Sequence, residues 1–370
     1  MHLSPKLTRA SLAASAVLTL GALFLAGCST DKQAPDQTPA VQFNQRSATA
    51  AVVQPAATPK MQVSPEPTPA PEATPQCPNP FPARDLPPEA TPPYRLTPAP
   101  EVEPPPPIQP LPFKRDAALE QVLRDSLGDQ IDSYGVVVKN LADGSGAVIN
   151  GDKVFYAASL FKISIMYQAY QERAAGLLSF DEQLVITPYY ESFGLGPRLT
   201  SVCQSLTVQE ALQAMMAISD NAAAVLLQDL VGSRHINESL AALGLGDTRL
   251  LTDDLPATAQ DMVLLVEAIA RGQAVDREAS KEMVDLMSLE TLSDRIPALL
   301  PPGTHVAHKT ANWSNATHDV GIVYSPAATY VIAVLSDKEY APAPIAELSR
   351  LVYEHYNGAG SAPAPAAPTP

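Results

Sequence analysis

Ser159 and Lys162 stand three residues apart within "YAASLFKISIMYQAY". On a helix this spacing puts the hydroxyl and the amine on one face, close enough to share a hydrogen bond. The chemistry open to such a pair is nucleophilic attack on a carbonyl. An unaided serine hydroxyl is too weakly acidic to attack near neutral pH, but an amine whose pKa is depressed by burial and by a second ammonium can take its proton. The spacing is also common, and it describes a solvated corner equally well. Two later stretches carry the same double meaning. "MAISDNAAAVLL" offers Ser219, Asp220 and Asn221, which alone read as a helix N-cap. "AHKTANWS" offers Lys309 and Thr310, which alone read as an exposed pair on a strand. His318 and Asp319 invite a Ser/His/Asp triad, but neighbours on a strand point to opposite faces.

The elements that must position these residues are legible in outline. Asp116 can cap a helix whose apolar residues Leu119, Val122, Leu123 and Leu127 recur at helical spacing. "YGVVVKN" and "GAVIN" are short β-branched runs joined across Asp143-Gly144, a hairpin signal. A helix carrying Ser159 and Lys162 follows. From residue 178 to about 290 the pattern is helical: Thr207 and Glu210 form a capping box, and "AQDMVLLVEAIARG" ends at Gly272. Strands return in "THVAHKT", "DVGIVYS" and "TYVIAVLS", and "APIAELSRLVYEHY" closes as a helix. Both ends of the folded part thus supply a sheet with flanking helices, and the middle supplies a helical lobe.

Outside that part the composition changes. Lys6 and Arg9, an apolar stretch over residues 11–25 and "LAGC" ending at Cys28 form an export signal too short to span a bilayer. The "LAGC" ending resembles the bacterial lipobox, which implies lipidation of Cys28 and a cell-envelope, extracytoplasmic protein held by several acyl chains. Residues 29–113 carry well over half of the chain's 38 prolines and read as a disordered tether, and residues 358–370 as a disordered tail. The remaining residues, 114–357, suffice for one large domain. The net charge of −15 argues against nucleic acid or an anionic lipid surface as partner, so the membrane is met only through the anchor. Of three cysteines, Cys28 is assigned to lipid, Cys77 falls in the tether and Cys203 in the domain, so no structural disulfide is expected. No CxxC, HExxH or His/Cys cluster suggests a metal, no cofactor is implied, and a monomer is expected.

Taken in order and with their surroundings, "SLFK", "SDN" and "KT" resemble the active-site set of the penicillin-recognising serine hydrolases, the class A β-lactamases in particular. The resemblance runs from about Asp116 to Tyr356. It implies an α/β (α+β) domain of the β-lactamase/D,D-peptidase type, an antiparallel sheet flanked by helices plus an all-helical lobe. It also implies the roles. Ser159 is the nucleophile and Lys162 its base; Ser219 relays a proton to the departing nitrogen; Asn221 orients Lys162 and bonds the substrate's amide side chain. Lys309 and Thr310 hold the substrate carboxylate, a group shared by penicillins and by wall peptides ending in D-alanine. The backbone amides of Ser159 and Asn312 form the oxyanion hole.

Two departures from the family pattern stand out. The loop that normally carries the deacylating glutamate lacks roughly ten residues, so Asp254 falls where the glutamate should be and Thr258 where its asparagine partner should be. An aspartate is about 1.5 Å shorter, and proton transfer needs near-contact geometry, so a capping or turn role competes with that of base. Ala311 replaces the usual glycine, and its methyl group can crowd the substrate. Trp313 and Tyr189 or Tyr190 are candidates either to line the cleft or to pack. The expected function is hydrolysis of β-lactams through a Ser159 acyl-enzyme. A D,D-peptidase-like wall enzyme, or a penicillin- or peptidoglycan-binding sensor without turnover, is the alternative that the truncated loop raises.

Overall fold

The computed structural model describes residues 76–84, 86, 93, 109–194 and 199–358, all within the unit Pro69–Pro370. The leader with Cys28, most of the proline-rich segment and the tail beyond Gly358 lie outside the described residues. In chain order the elements are β1 (Lys114–Arg115), α1 (Ala117–Leu127), β2 (Tyr134–Asn140), β3 (Ser145–Ile149), β4 (Phe155–Tyr156), α2 (Phe161–Ala174), β5 (Gln183–Val185) and α3 (Pro188–Glu191). Then come β6 (Ser205–Thr207), α4 (Val208–Ala217), α5 (Asn221–Val231), α6 (Ser233–Ala242), β7 (Pro256–Ala257), α7 (Ala259–Ala270) and α8 (Arg277–Met287). The chain closes with β8 (His305–Trp313), β9 (Ala316–Tyr324), β10 (Thr329–Ser336) and α9 (Pro342–Asn357).

The main sheet has the order β1-β3-β2-β10-β9-β8 and is antiparallel except for the β1–β3 pair. Its β-branched strands are buried on both sides, and alternate residues serve different cores. Val136, Val138, Ile332 and Val334 pack with Leu119 and Leu123 of α1 and Leu348 and Val352 of α9. Val137, Val331, Ala333 and Leu335 join the larger core shared with α2, α5 and α7. Each of the buried valine, leucine and isoleucine side chains favours the fold by about 1.5–3 kcal/mol relative to exposure. Asp116 caps α1 by accepting from the amides of Ala118 and Leu119, and the Thr207–Glu210 capping box at α4 has both its halves. The helical middle is interrupted by β5, β6 and β7, which pair as β5–β6 and β4–β7 and are too short for a periodic pattern to reveal.

One sequence expectation is overturned. Cys77 and Cys203 form a disulfide with an S–S distance of 2.09 Å, closing 126 residues of chain. The residues around Cys77 dock on the domain instead of leaving it: Phe81 is fully buried, the Pro80 carbonyl accepts from the Val185 amide at 2.9 Å, and Arg84 makes a two-pronged pair with Glu182 at 2.8 and 3.0 Å. A second docking point is the buried Glu267, which takes the Leu111 amide at 2.8 Å and Lys139 Nζ at 2.5 Å. The proline-rich segment is therefore pinned where its composition departs from repeats. Closing so long a loop restricts the unfolded chain, so Cys77→Ser or reduction is expected to cost about 2–4 kcal/mol. For a domain of this size that corresponds to a Tm lower by roughly 5–15 °C. Calorimetry checks this, and an unchanged Tm in both cases rules out a stabilising role for the bond.

Candidate active site

Ser159 does not sit on α2 itself. It occupies the 3-10 turn Ala158–Leu160 that feeds directly into α2, so the turn presents a partly exposed hydroxyl at the helix entrance. Ala158 has φ +44°, a left-handed conformation disfavoured for a residue with a Cβ, and such strain of about 1–3 kcal/mol persists only where surrounding structure enforces it. The enforcement comes from two sides. The Ala157 amide donates to the Leu255 carbonyl at 2.6 Å, and His318 Nε2 lies 2.9 Å from the Tyr156 carbonyl. His318 Nδ1 accepts from the Ser336 amide at 3.0 Å, so the ring proton is on Nε2 and is donated to Tyr156. Burial pushes the His318 pKa down to about 4. This imidazole is a neutral strut beneath the nucleophile, and its partners exclude the triad reading.

Lys162, the second residue of α2, is fully buried. Its amine donates to the Ser219 carbonyl at 2.6 Å, to Ser219 Oγ at 2.9 Å and to Asn221 Oδ1 at 2.6 Å. Burial, and then the charge of Lys309, push its pKa well below the ordinary lysine value against the opposing pull of Asp220 and Glu290. Ser219 reaches the amine because its own backbone is left-handed, with φ +61°. Asp220 fixes that turn: it caps α5 through the Ala223 amide at 3.0 Å and accepts from the Leu199 amide and Thr200 Oγ1, each at 2.9 Å. The N-cap reading of this triplet and the chemical reading are thus both correct, for different residues. Of the three acceptors around Lys162, the Ser219 hydroxyl alone can also donate. When the amine loses its proton it keeps its bonds to the Ser219 carbonyl and Asn221, and its lone pair becomes free for a hydroxyl.

Lys309 and Thr310 lie on β8, the outer strand of the sheet, which packs against the turn bearing Ser159. Gly321 opposite His308 keeps β8 close: a Cβ there would meet His308 Cβ at 2.5 Å and the Ala307 carbonyl at 2.7 Å. The Thr310 amide points out of the sheet toward Glu290, and amides two residues apart on a strand point the same way, so the Asn312 amide also faces the open edge. Ala311 is buried within the main core, so its methyl group is accommodated there. Trp313 is half-exposed beside Tyr156, whereas Tyr190 is buried, with its hydroxyl 3.0 Å from Asp229 Oδ2.

Asp254 is exposed, and its carboxylate accepts from the adjacent Leu255 amide at 2.8 Å while its carbonyl closes a turn with the Leu251 amide at 3.0 Å. Thr258 is the N-cap of α7, accepting from the Asp261 amide at 3.1 Å. The shortened loop therefore braces the Ser159 turn through Leu255 and β7, with its two candidate residues spent on local backbone. Sequence reasoning missed two side chains. Glu290, in the segment after α8, pairs with Lys309 Nζ and accepts from Thr310 Oγ1 at 3.0 Å. Burial opposes its charge, but the attraction and hydrogen bond of Lys309 outweigh this and hold its pKa below the ordinary range. Arg295, fully buried, donates to Asn312 Oδ1 at 2.5 Å and to the His318 carbonyl at 3.1 Å, fixing the end of β8.

A strained serine turn lodged between a helical lobe and a sheet edge is the architecture of the serine β-lactamase-like hydrolases, and this chain is one. It belongs to the beta-lactamase enzyme family, which its residues 117–356 match. It is 24% identical over 252 residues to the extended-spectrum β-lactamase PER-1 of Pseudomonas aeruginosa, covering 60% of this chain and 82% of that protein. Among solved structures, a PBP-A mutant in acyl-enzyme complex with penicillin G aligns with a TM-score of 0.62 at 23% identity, over 67% of this chain and 99% of that one. A β-lactamase from Sphaerobacter thermophilus aligns with a TM-score of 0.59 at 24% identity, over 64% and 96% respectively. At these identities the structural likenesses establish the fold.

Proposed function

We propose that the protein reacts with β-lactams through a Ser159 acyl-enzyme and releases the product slowly. The observation that carries this is the buried Lys162 amine, depressed in pKa and bonded to Ser219 and Asn221 at the foot of the Ser159 turn. Neutral Lys162 takes the Ser159 proton as Oγ attacks the lactam carbonyl. The Ser159 and Asn312 amides hold the oxyanion. Ser219 passes a proton to the lactam nitrogen as its bond to the carbonyl carbon breaks, leaving an ester on Ser159. Acylation by penicillin G of the PBP-A neighbour supports the substrate class, and wall peptides ending in D-alanine offer the same carbonyl and carboxylate. The second half of the reaction needs a base to activate water. The engagement of Asp254 in its own turn favours a persistent ester, and with it a sensor-like or slow hydrolase.

The export signal with Cys28 and the Cys77–Cys203 bond both suit an oxidising, extracytoplasmic site with a lipid anchor. Incubation with one equivalent of benzylpenicillin, followed by intact mass and peptide mapping, tests the reaction. The expected result is a single penicilloyl adduct on the peptide that contains Ser159. An unmodified protein, or an adduct mapped elsewhere, rejects the proposal.

A further inference from the structure

Lys309 and Thr310 are the residues that the family resemblance assigns to the substrate carboxylate, and Lys309 Nζ, the Thr310 hydroxyl and the Thr310 amide all converge on a carboxylate oxygen that the protein itself supplies. Glu290 Oε2 pairs with Lys309 and accepts from Thr310 Oγ1 at 3.0 Å and from the Thr310 amide at 3.3 Å. The other oxygen, Oε1, accepts from the Leu292 amide at 3.2 Å. The side chain is 2% exposed. Its segment is fixed independently, because the Thr291 amide and hydroxyl both donate to the Ala217 carbonyl, at 2.9 and 3.1 Å, two residues before Ser219. Glu290 is thus held by donors at both oxygens on an immobilised turn, beside the reactive groups. It is a seated ligand rather than a passing rotamer.

We infer that Glu290 is a specificity-determining residue that occupies the carboxylate anchor of this site, so that the anchor discriminates against acyl donors bearing a free carboxylate and admits those in which that position is neutral. The inference rests on the reading of Lys309 and Thr310 as that anchor. Two carboxylates cannot share one ammonium in a buried site without mutual repulsion, and donors already satisfied have little left to offer a second anion. A penicillin acid must displace Glu290, and leaving that carboxylate buried without partners is costly. A lactam ester or an amide-capped peptide meets no such like charge. The residue acts on the substrate through charge at a fixed place, which a merely structural contact would not do.

The test compares benzylpenicillin with its methyl ester. Dissociation constants are measured by calorimetry in the Ser159→Ala background, where no ester forms, with Glu290 intact, with Glu290→Ala and with Glu290→Gln; the glutamine keeps the shape should the alanine variant fail to fold. Removing the competing carboxylate is expected to tighten binding of the acid by about 10- to 100-fold and to change binding of the methyl ester by less than about threefold. An acid-to-ester ratio of dissociation constants that stays constant or rises in the folded variants overturns the inference, as does a failure of all these proteins to bind either compound. Whether Ser159 becomes acylated is read separately by mass in the wild type, so loss of the acyl-enzyme proposal and loss of the Glu290 inference give different results.

Discussion

Ser159→Ala is expected to abolish covalent reaction with penicillin, and Lys162→Met and Lys162→Arg to slow acylation by about 10²- to 10⁴-fold, the usual worth of a positioned general base. The two lysine variants separate chemistry from architecture. Arginine retains the charge and donors that could satisfy Ser219 and Asn221, so a purely structural lysine would be rescued by it. A guanidinium cannot lose its proton near neutral pH, so a lysine acting as base would not be rescued. The pH dependence gives an independent reading. The active form of Lys162 is the neutral amine, so acylation rises as pH passes upward through its pKa and then levels. Burial and the neighbouring Lys309 charge hold that pKa well below the ordinary lysine value, so the rising limb lies correspondingly low. Time-resolved mass across mildly acidic to alkaline pH measures it. A limb at the ordinary lysine value, or an arginine variant that acylates at the wild-type rate, removes Lys162 from the role of base.

The parts of the site readable in the sequence are those carried by local spacing. Ser159 and Lys162 are neighbours along the chain, Asp220 and Asn221 mark a helix start, and Lys309 and Thr310 stand on a β-branched run. The Thr207–Glu210 capping box and the β-branched run through Val136, Val137 and Val138 are likewise local, and the structure follows them. Glu290 escaped because its meaning is tertiary. In "SLETLSD" it looks like any surface acid, and only the crossing of its segment past β8 brings it to Lys309. The Cys77–Cys203 bond was missed for a related reason: the surrounding prolines argued for a detached tether. The break from repeat to "CPNPFPARDL", with one aromatic and one arginine, was the available signal, since Phe81 and Arg84 hold that stretch down. The placement of Ser159 on a 3-10 turn rather than on α2 follows from Ala158, whose left-handed backbone no propensity argument would assign to alanine.

Once formed, the penicilloyl ester is expected to persist, and Asp254→Asn to change its lifetime by less than about twofold. Hydrolysis of the ester needs a water activated within hydrogen-bond reach of a base, and losing that assistance slows the step by about 10²- to 10⁴-fold. The shortened loop provides two acidic or polar candidates at the relevant positions. Thr258 is committed to capping α7. Asp254 is exposed with one oxygen on the Leu255 amide, although its charge is felt at Tyr156, whose pKa is raised first by burial and then by Asp254. That places Asp254 within electrostatic range of the residues leading to Ser159, but among the described residues no hydrogen bond connects it to Ser159 or Lys162. Lys162 is a poor substitute: its amine is held by the Ser219 and Asn221 bonds, and the partner through which it could pass a proton on is the Ser219 hydroxyl already used in acylation. The measurement is a time course of intact mass after one equivalent of benzylpenicillin, with lactam absorbance followed in parallel, for wild type and Asp254→Asn. A lasting adduct in both is the expected outcome. Rapid return of the wild type to its free mass, with the adduct trapped only in the variant, would make Asp254 the deacylating base after all. Rapid return in both would instead require a base supplied by Lys162, through the Ser219 hydroxyl that alone among its partners can pass a proton in either direction.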